Sequence, residues 1–185
     1  MKGIIFNCVA QVVRDLGGED LWDDLLHSAG LEGSYTSLGS YSDQELLALL
    51  GAASELLDKS IYETTEYLGE LVFPYLSGNH KNLIAEHRCT VSLLCALNDV
   101  IHPEVLKLYP DASVPQFRTL LSDGNHLRLL YHSGRDLPAL ASGLIRGAAN
   151  LYNEDVSIDI ETTADGFIFD LVFVKISQHE LVSGL

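Results

Sequence analysis

Two hairpin signatures in the second half of the chain limit what it can fold into. QFRTLLSDGNHLRLLYHS holds two alternating segments joined at Asp123-Gly124, and VSIDIETTADGFIFDLVFVKI holds two more, rich in β-branched and aromatic residues, joined at Asp165-Gly166. Between them, LPALASGLIRGAANLYN reads as a helix. Tight hairpins pair their strands antiparallel, so this half predicts an antiparallel sheet with a helix against it.

The first half has no such alternation and reads as helices. Lys2 to Leu16 presents a broad apolar surface and stops at Gly17-Gly18, and EDLWDDLLHSAG follows with Gly30 just past its end. Ser42-Asp43-Gln44-Glu45 and Ser60-Ile61-Tyr62-Glu63 each fit a capping box. A long helical region is then expected from about Asn79 to Leu108, with room for a break in its first third, and it contains His102-Pro103. Helices first and strands later give an α+β fold in one domain: a helical N-terminal lobe over about residues 1–60, then a helix-and-sheet lobe over about 61–185. The Gly/Ser-rich stretch 31–42 is its one weak joint.

A chain of 185 residues, 47% apolar, removes roughly 70% of its surface from water on folding and needs no staple. Cys8, Cys89 and Cys95 are odd in number and form no CxxC spacing, which points to a reducing compartment, hence the cytoplasm, and to no disulfide framework or zinc site. The net charge of -15, with only 11 Lys and Arg, opposes binding to nucleic acid or an anionic membrane. The opening MKGIIFNCVAQVVRDLGG carries Gln11, Arg14 and Asp15 at amphipathic spacing, so it reads as neither a signal peptide nor a membrane span.

Candidate chemistry begins at LLYHSGRDL, residues 129–137. Alternate strand positions share a face roughly 7 Å apart, so Tyr131, Ser133 and Arg135 form a fork of phenol, hydroxyl and guanidinium, provided the extended backbone continues past Gly134. Such a fork suits a carboxylate, and an edge strand that simply ends in polar residues would look the same. His102 is the second candidate. The apolar stripe Leu93, Leu94, Leu97, Val100, Ile101 runs past it, while Val91, Cys95, Leu106 and Tyr109 give its own side some apolar character. That pattern marks a helix buried between two bodies, or a histidine packed in an ordinary way. The remaining histidines form no shared metal site: His126 and His132 lie about 20 Å apart on a strand, and His80 and His87 about 10 Å apart on a helix. No nucleophile elbow, phosphate loop or HExxH motif is present.

Taken together, MKGIIFN, DVIHPEVLKLYPDASVPQFR and YHSGR, in this order, resemble the haem nitric oxide/oxygen binding (H-NOX) family in its stand-alone bacterial form, a sensor domain also found in soluble guanylate cyclases. The likeness spans essentially the whole chain. It implies a haem b buried between the lobes, with His102 as the axial iron ligand and Tyr131, Ser133 and Arg135 on the propionates. It further implies that Pro115 and Ile5 press on the porphyrin and bend it. In relatives that hold oxygen stably, a tyrosine stands where this chain has Leu140; with Leu140 and Leu144 lining the distal side, the resemblance implies NO and CO over O₂. NO binding would then weaken the bond from iron to His102, flatten the haem and shift the N-terminal lobe. A donor from Tyr67 or Tyr75 would overturn that preference. The signal would pass in trans to a histidine kinase or a cyclic-di-GMP enzyme. Two other readings stay open: a haem enzyme of peroxide or oxygen chemistry, for which no distal acid-base residue is visible, and a cofactor-free interaction domain.

Overall fold

The computed structural model describes residues 1–176, so residues 177–185 of the expected sheet lobe lie outside the described residues. Helix α1 (Gly3–Ala29) is two helical stretches that meet at Gly18. Gly18 has φ 82°, a conformation open to glycine at little cost, so the expected stop at Gly17-Gly18 is a kink and not a separation. Gly30, also left-handed, ends the helix by donating its N–H to the carbonyls of His27 and Leu26.

Helices α2 (Asp43–Leu57) and α3 (Ile61–Asn79) start where the capping serines place them. Ser60 and Glu63 close a full reciprocal box. Ser42 accepts the N–H of Gln44, but Glu45 is drawn away to accept a hydrogen bond from the Tyr35 hydroxyl at 3.0 Å. Ser42 is therefore a simple N-cap, and the expected box there does not form.

The long helical region breaks into α4 (Lys81–Ala85), α5 (Thr90–Cys95), a π-turn at Leu97–Ile101, and α6 (His102–Leu108). Pro103 falls in the first turn of α6, which continues directly from the π-turn, so its missing N–H withdraws a donor from a carbonyl of that turn. The wide turn resets the helical phase just before it. As a result Ile101 is buried while Val100, expected on the same stripe, is 42% exposed.

Strands β1 (Gln116–Asp123) and β2 (His126–His132) form the first hairpin, α7 (Pro138–Leu151) follows, and β3 (Glu154–Thr163) and β4 (Gly166–Lys175) form the second. β2 pairs with β4, joining the hairpins into one antiparallel sheet in the order β1-β2-β4-β3. Leu127, Leu129 and Tyr131 alternate inward on β2 and pack with Ala141, Ile145 and Ala149 of α7. Each such leucine contributes roughly 1.5–3 kcal/mol by leaving water. The helical lobe has its own core, with Phe6, Trp22, Leu46 and Leu49 around Val72 of α3.

Helix α3 serves both bodies, because it also crosses α7 with almost no side chain between the backbones. A Cβ added at Gly143 would lie 2.0 Å from the Glu66 carbonyl oxygen, and one at Gly69 would lie 2.8 Å from that of Leu140. Small residues set this separation, and the chain leaves a large hollow beside the crossing.

Candidate functional site

The hollow measures about 410 Å³, within the roughly 300–1,000 Å³ of small-molecule sites. Its lining is overwhelmingly apolar. Ile5 of α1, Phe73 and Leu76 of α3, and Leu140 and Leu144 of α7 form the helical side. His102, Pro115 and Tyr131 come from α6, the loop before β1, and β2, and Ser133 and Arg135 come from the loop before α7. Every site residue expected from the sequence lines this single cavity.

The His102 imidazole is held neutral. Burial pushes its pKa down to about 4, and the Pro115 backbone carbonyl opposes this only in part. That carbonyl does not meet hydrogen-bond geometry with the ring, and the buried Nδ1 has no partner. With Nδ1 closed off, Nε2 is the nitrogen left to offer a lone pair toward the cavity, as a neutral imidazole can. The position of His102 depends on a residue that the sequence reading passed over. Asn98, inside the π-turn, accepts the Phe117 N–H at 3.0 Å and donates back to the Phe117 carbonyl, clamping the turn to β1. The one available signal was an amide, next to Asp99, set between the apolar residues Leu97 and Val100.

Tyr131, Ser133 and Arg135 converge by a different route from the one expected. Only Tyr131 lies on the strand, which ends at His132. Ser133 then accepts the Arg135 N–H at 3.2 Å, folding the chain into a turn, and Asp136 takes a left-handed conformation (φ 47°). Burial raises the Tyr131 pKa above its ordinary value, against lowering contacts from Ser133 and the Leu137 backbone, so the phenol keeps its proton and can donate.

Arg135 is already partly engaged. Its Nε donates to Asp43 at 2.9 Å and one Nη donates to the Ser113 carbonyl at 2.7 Å, which leaves further donors of the guanidinium fork for a ligand. Asp43 also accepts from the Met1 amine at 2.7 Å, and that contact and Arg135 hold its carboxyl below the usual range despite burial. Nearby, Lys2 spends its three ammonium protons on the Leu38 carbonyl, Ser40 and Asp111, at 2.5, 3.0 and 2.8 Å. These pairs tie the start of α1 to both cavity-lining loops. None was visible in the sequence, since their members lie far apart along the chain.

Neither tyrosine that might have placed a phenol in the cavity does so. Tyr75 donates to Asp15, and Tyr67 lines a separate groove. The end of α3 does bring Ser77 and His80 to the cavity, two polar groups that the sequence reading did not assign. Burial favours the neutral form of His80.

An apolar slot with a neutral, unpartnered imidazole on one wall and a hydroxyl-guanidinium fork at one edge suits a flat apolar metal complex bearing carboxylates. Haem has this chemistry, and these residues fit it.

Comparison with known proteins points the same way. The haem-NO-binding family model matches residues 2–160. An H-NOX protein from Shewanella oneidensis, solved in its Fe(II)NO ligation state, is similar at 30% identity with TM-score 0.87, over 95% of this chain and all of that one. Unliganded Fe(II) H-NOX from K. algicida aligns at 30% identity and TM-score 0.83, over 95% of this chain and 98% of that one. An oxygen-binding H-NOX domain related to soluble guanylate cyclases, solved as its oxygen complex, aligns at 26% identity and TM-score 0.76, over 95% of this chain and 94% of that one. Comparison with curated proteins returns no match. On the family match over most of its length, and on these whole-fold similarities, the chain belongs to the haem-NO-binding, or H-NOX, family of haem-based gas-sensor domains.

Proposed function

We propose that this protein is a cytoplasmic nitric oxide sensor that holds a ferrous haem b through His102 and signals in trans to a partner enzyme, a histidine kinase or a cyclic-di-GMP enzyme. The observation that carries the reading is one apolar cavity holding both the unpartnered imidazole of His102 and the Tyr131, Ser133 and Arg135 fork. No helix among the described residues is long and apolar enough to cross a membrane.

When bound, haem supplies an iron that takes a diatomic gas. The protein residues do the rest. His102 offers a lone pair without first losing a proton, because it is already neutral. Tyr131 and Ser133 would donate hydroxyl hydrogen bonds to the propionates, and Arg135 would give them a counterion through the donors that Asp43 and Ser113 leave unused. Pro115 and Ile5 line the cavity and would bear on a bound macrocycle. Leu140 and Leu144 exclude water and offer bound gas no hydrogen bond, which favours NO and CO over O₂, since bound O₂ gains most from a donor. The Shewanella oneidensis relative solved with NO supports this preference. Ser77, His80 and Tyr109 also line the cavity and are groups able to reverse it.

Expression with ample haem, followed by absorption spectroscopy, tests the reading. A Soret band, a five-coordinate histidine-ligated ferrous form and ready NO binding are expected. A protein that stays colourless after reconstitution with haemin removes the cofactor. A stable oxy complex in air removes the NO preference, and its loss in Ser77→Ala or His80→Ala would identify the donor.

A further inference from the structure

A second concavity lies on the helical lobe, in a groove between α1, α2 and α3, and it shares no lining residue with the cavity. It measures about 70 Å³, room for about five waters. That volume is too small for a cofactor and suits one apolar side chain. Its rim is unusually apolar for an exposed surface: Leu16 is 58% exposed, Leu56 61% and Tyr67 41%. Ile61 and Tyr62 extend the exposed apolar surface at the start of α3. In the lining itself, Thr64 is 1% exposed and its buried hydroxyl has no hydrogen-bond partner.

The charges on the lining segments are one-sided. Asp15, Asp20, Glu55, Asp58 and Glu63 are all exposed there, Asp15 accepting from Tyr75 and Gln11 and Glu63 closing the Ser60 cap, with Asp20, Glu55 and Asp58 making no side-chain bond among the described residues. Among the cations on the same segments, Arg14 is already committed to Glu19 at 2.8 Å and lies over the Trp22 ring, which leaves Lys59. A second copy of this chain would set carboxylates against carboxylates, and an anionic membrane would be repelled in the same way. A cationic partner meets neither penalty.

We propose that this groove docks a cationic amphipathic helix of a partner protein, with one apolar side chain of that helix seated between α1, α2 and α3 and its lysines or arginines facing the acidic rim. This goes beyond gas binding and does not depend on haem, so it stands or fails separately from the sensor reading.

The test titrates the intact purified protein with a short synthetic leucine/lysine amphipathic helix, and with its leucine/glutamate counterpart, by calorimetry. Saturable one-to-one binding of the lysine peptide alone is expected, weakening as salt rises. Leu16→Gln combined with Leu56→Gln should lower that affinity about tenfold, while Leu120→Gln on the exposed face of β1 leaves it unchanged. Leu16 and Leu56 are more than half exposed, so the fold tolerates the pair, and melting curves check this. Glu55→Gln with Asp58→Asn, which leaves the apolar rim intact, should weaken binding and flatten its salt dependence. The proposal is overturned if both peptides bind equally or the leucine variants bind as well as the parent. It is equally overturned if sedimentation shows a dimer that Leu56→Gln dissolves, or if the protein binds anionic vesicles through this rim.

Discussion

The cavity beside α3 and the groove on the helical lobe are both hollows walled by leucine, yet they invite different chemistry. The cavity gathers a neutral imidazole, a protonated phenol and a partly free guanidinium within greasy walls, whereas the groove has a lone buried hydroxyl and exposed carboxylates on the segments that form it. Apolar area makes a hollow able to hold something, and the few polar groups inside it decide what. Substitutions that touch one hollow should therefore leave the other unaffected, and the comparison fails wherever they do not.

The largest effect is expected from His102→Ala. Haem retention should fall by more than about 100-fold, or the histidine-ligated spectrum should vanish, while peptide binding at the groove is unaltered. Arg135→Ala comes next: loss of charged hydrogen bonds worth about 1.5–3 kcal/mol should weaken haem binding at least about tenfold, measured by transfer of haem to apomyoglobin. Thr64→Val sharpens the contrast from the other side. Removing an unpaired buried hydroxyl should stabilise the protein by about 1 kcal/mol, raising the melting temperature by about 2–4 °C without moving the Soret band.

The smallest effect belongs to the cavity edge. Lys2 and Ser40 hold the Asp111 carboxyl down to about 2, below the roughly 3.9 it has unfolded. A carboxyl lowered in the folded state adds stability that is fully present above its unfolded pKa and is lost as pH falls through its folded one. The parent protein should therefore lose stability between about pH 4 and pH 2, and Asp111→Asn should remove that part of the slope in melting curves.

Much of the fold was legible because it is written locally. The two hairpins, the Ser60 cap and the Gly30 terminus all follow from a few adjacent residues. The box that fails to form at Ser42 shows the limit, since Tyr35 engages Glu45 from outside the motif. The π-turn was hidden for the same reason: the Asn98 clamp that steadies it reaches to β1. At the site, residue types and order sufficed to nominate His102 and the Tyr131, Ser133 and Arg135 fork. The engagement of Arg135 by Asp43, 92 positions away, could come only from the folded chain. His80 and Ser77 were missed because their place on the cavity depends on how the end of α3, which Gly78-Asn79 marks locally, packs against distant elements.

The one extra residue per turn at Leu97–Ile101 works like the setting of a clock hand. Each residue added to or dropped from a helix swings everything downstream by about 100°. Deleting a single position from this segment would leave the chain as greasy as before, yet would aim the imidazole at a neighbouring helix or at water, so the aim of residue 102 is set by counting as much as by chemistry.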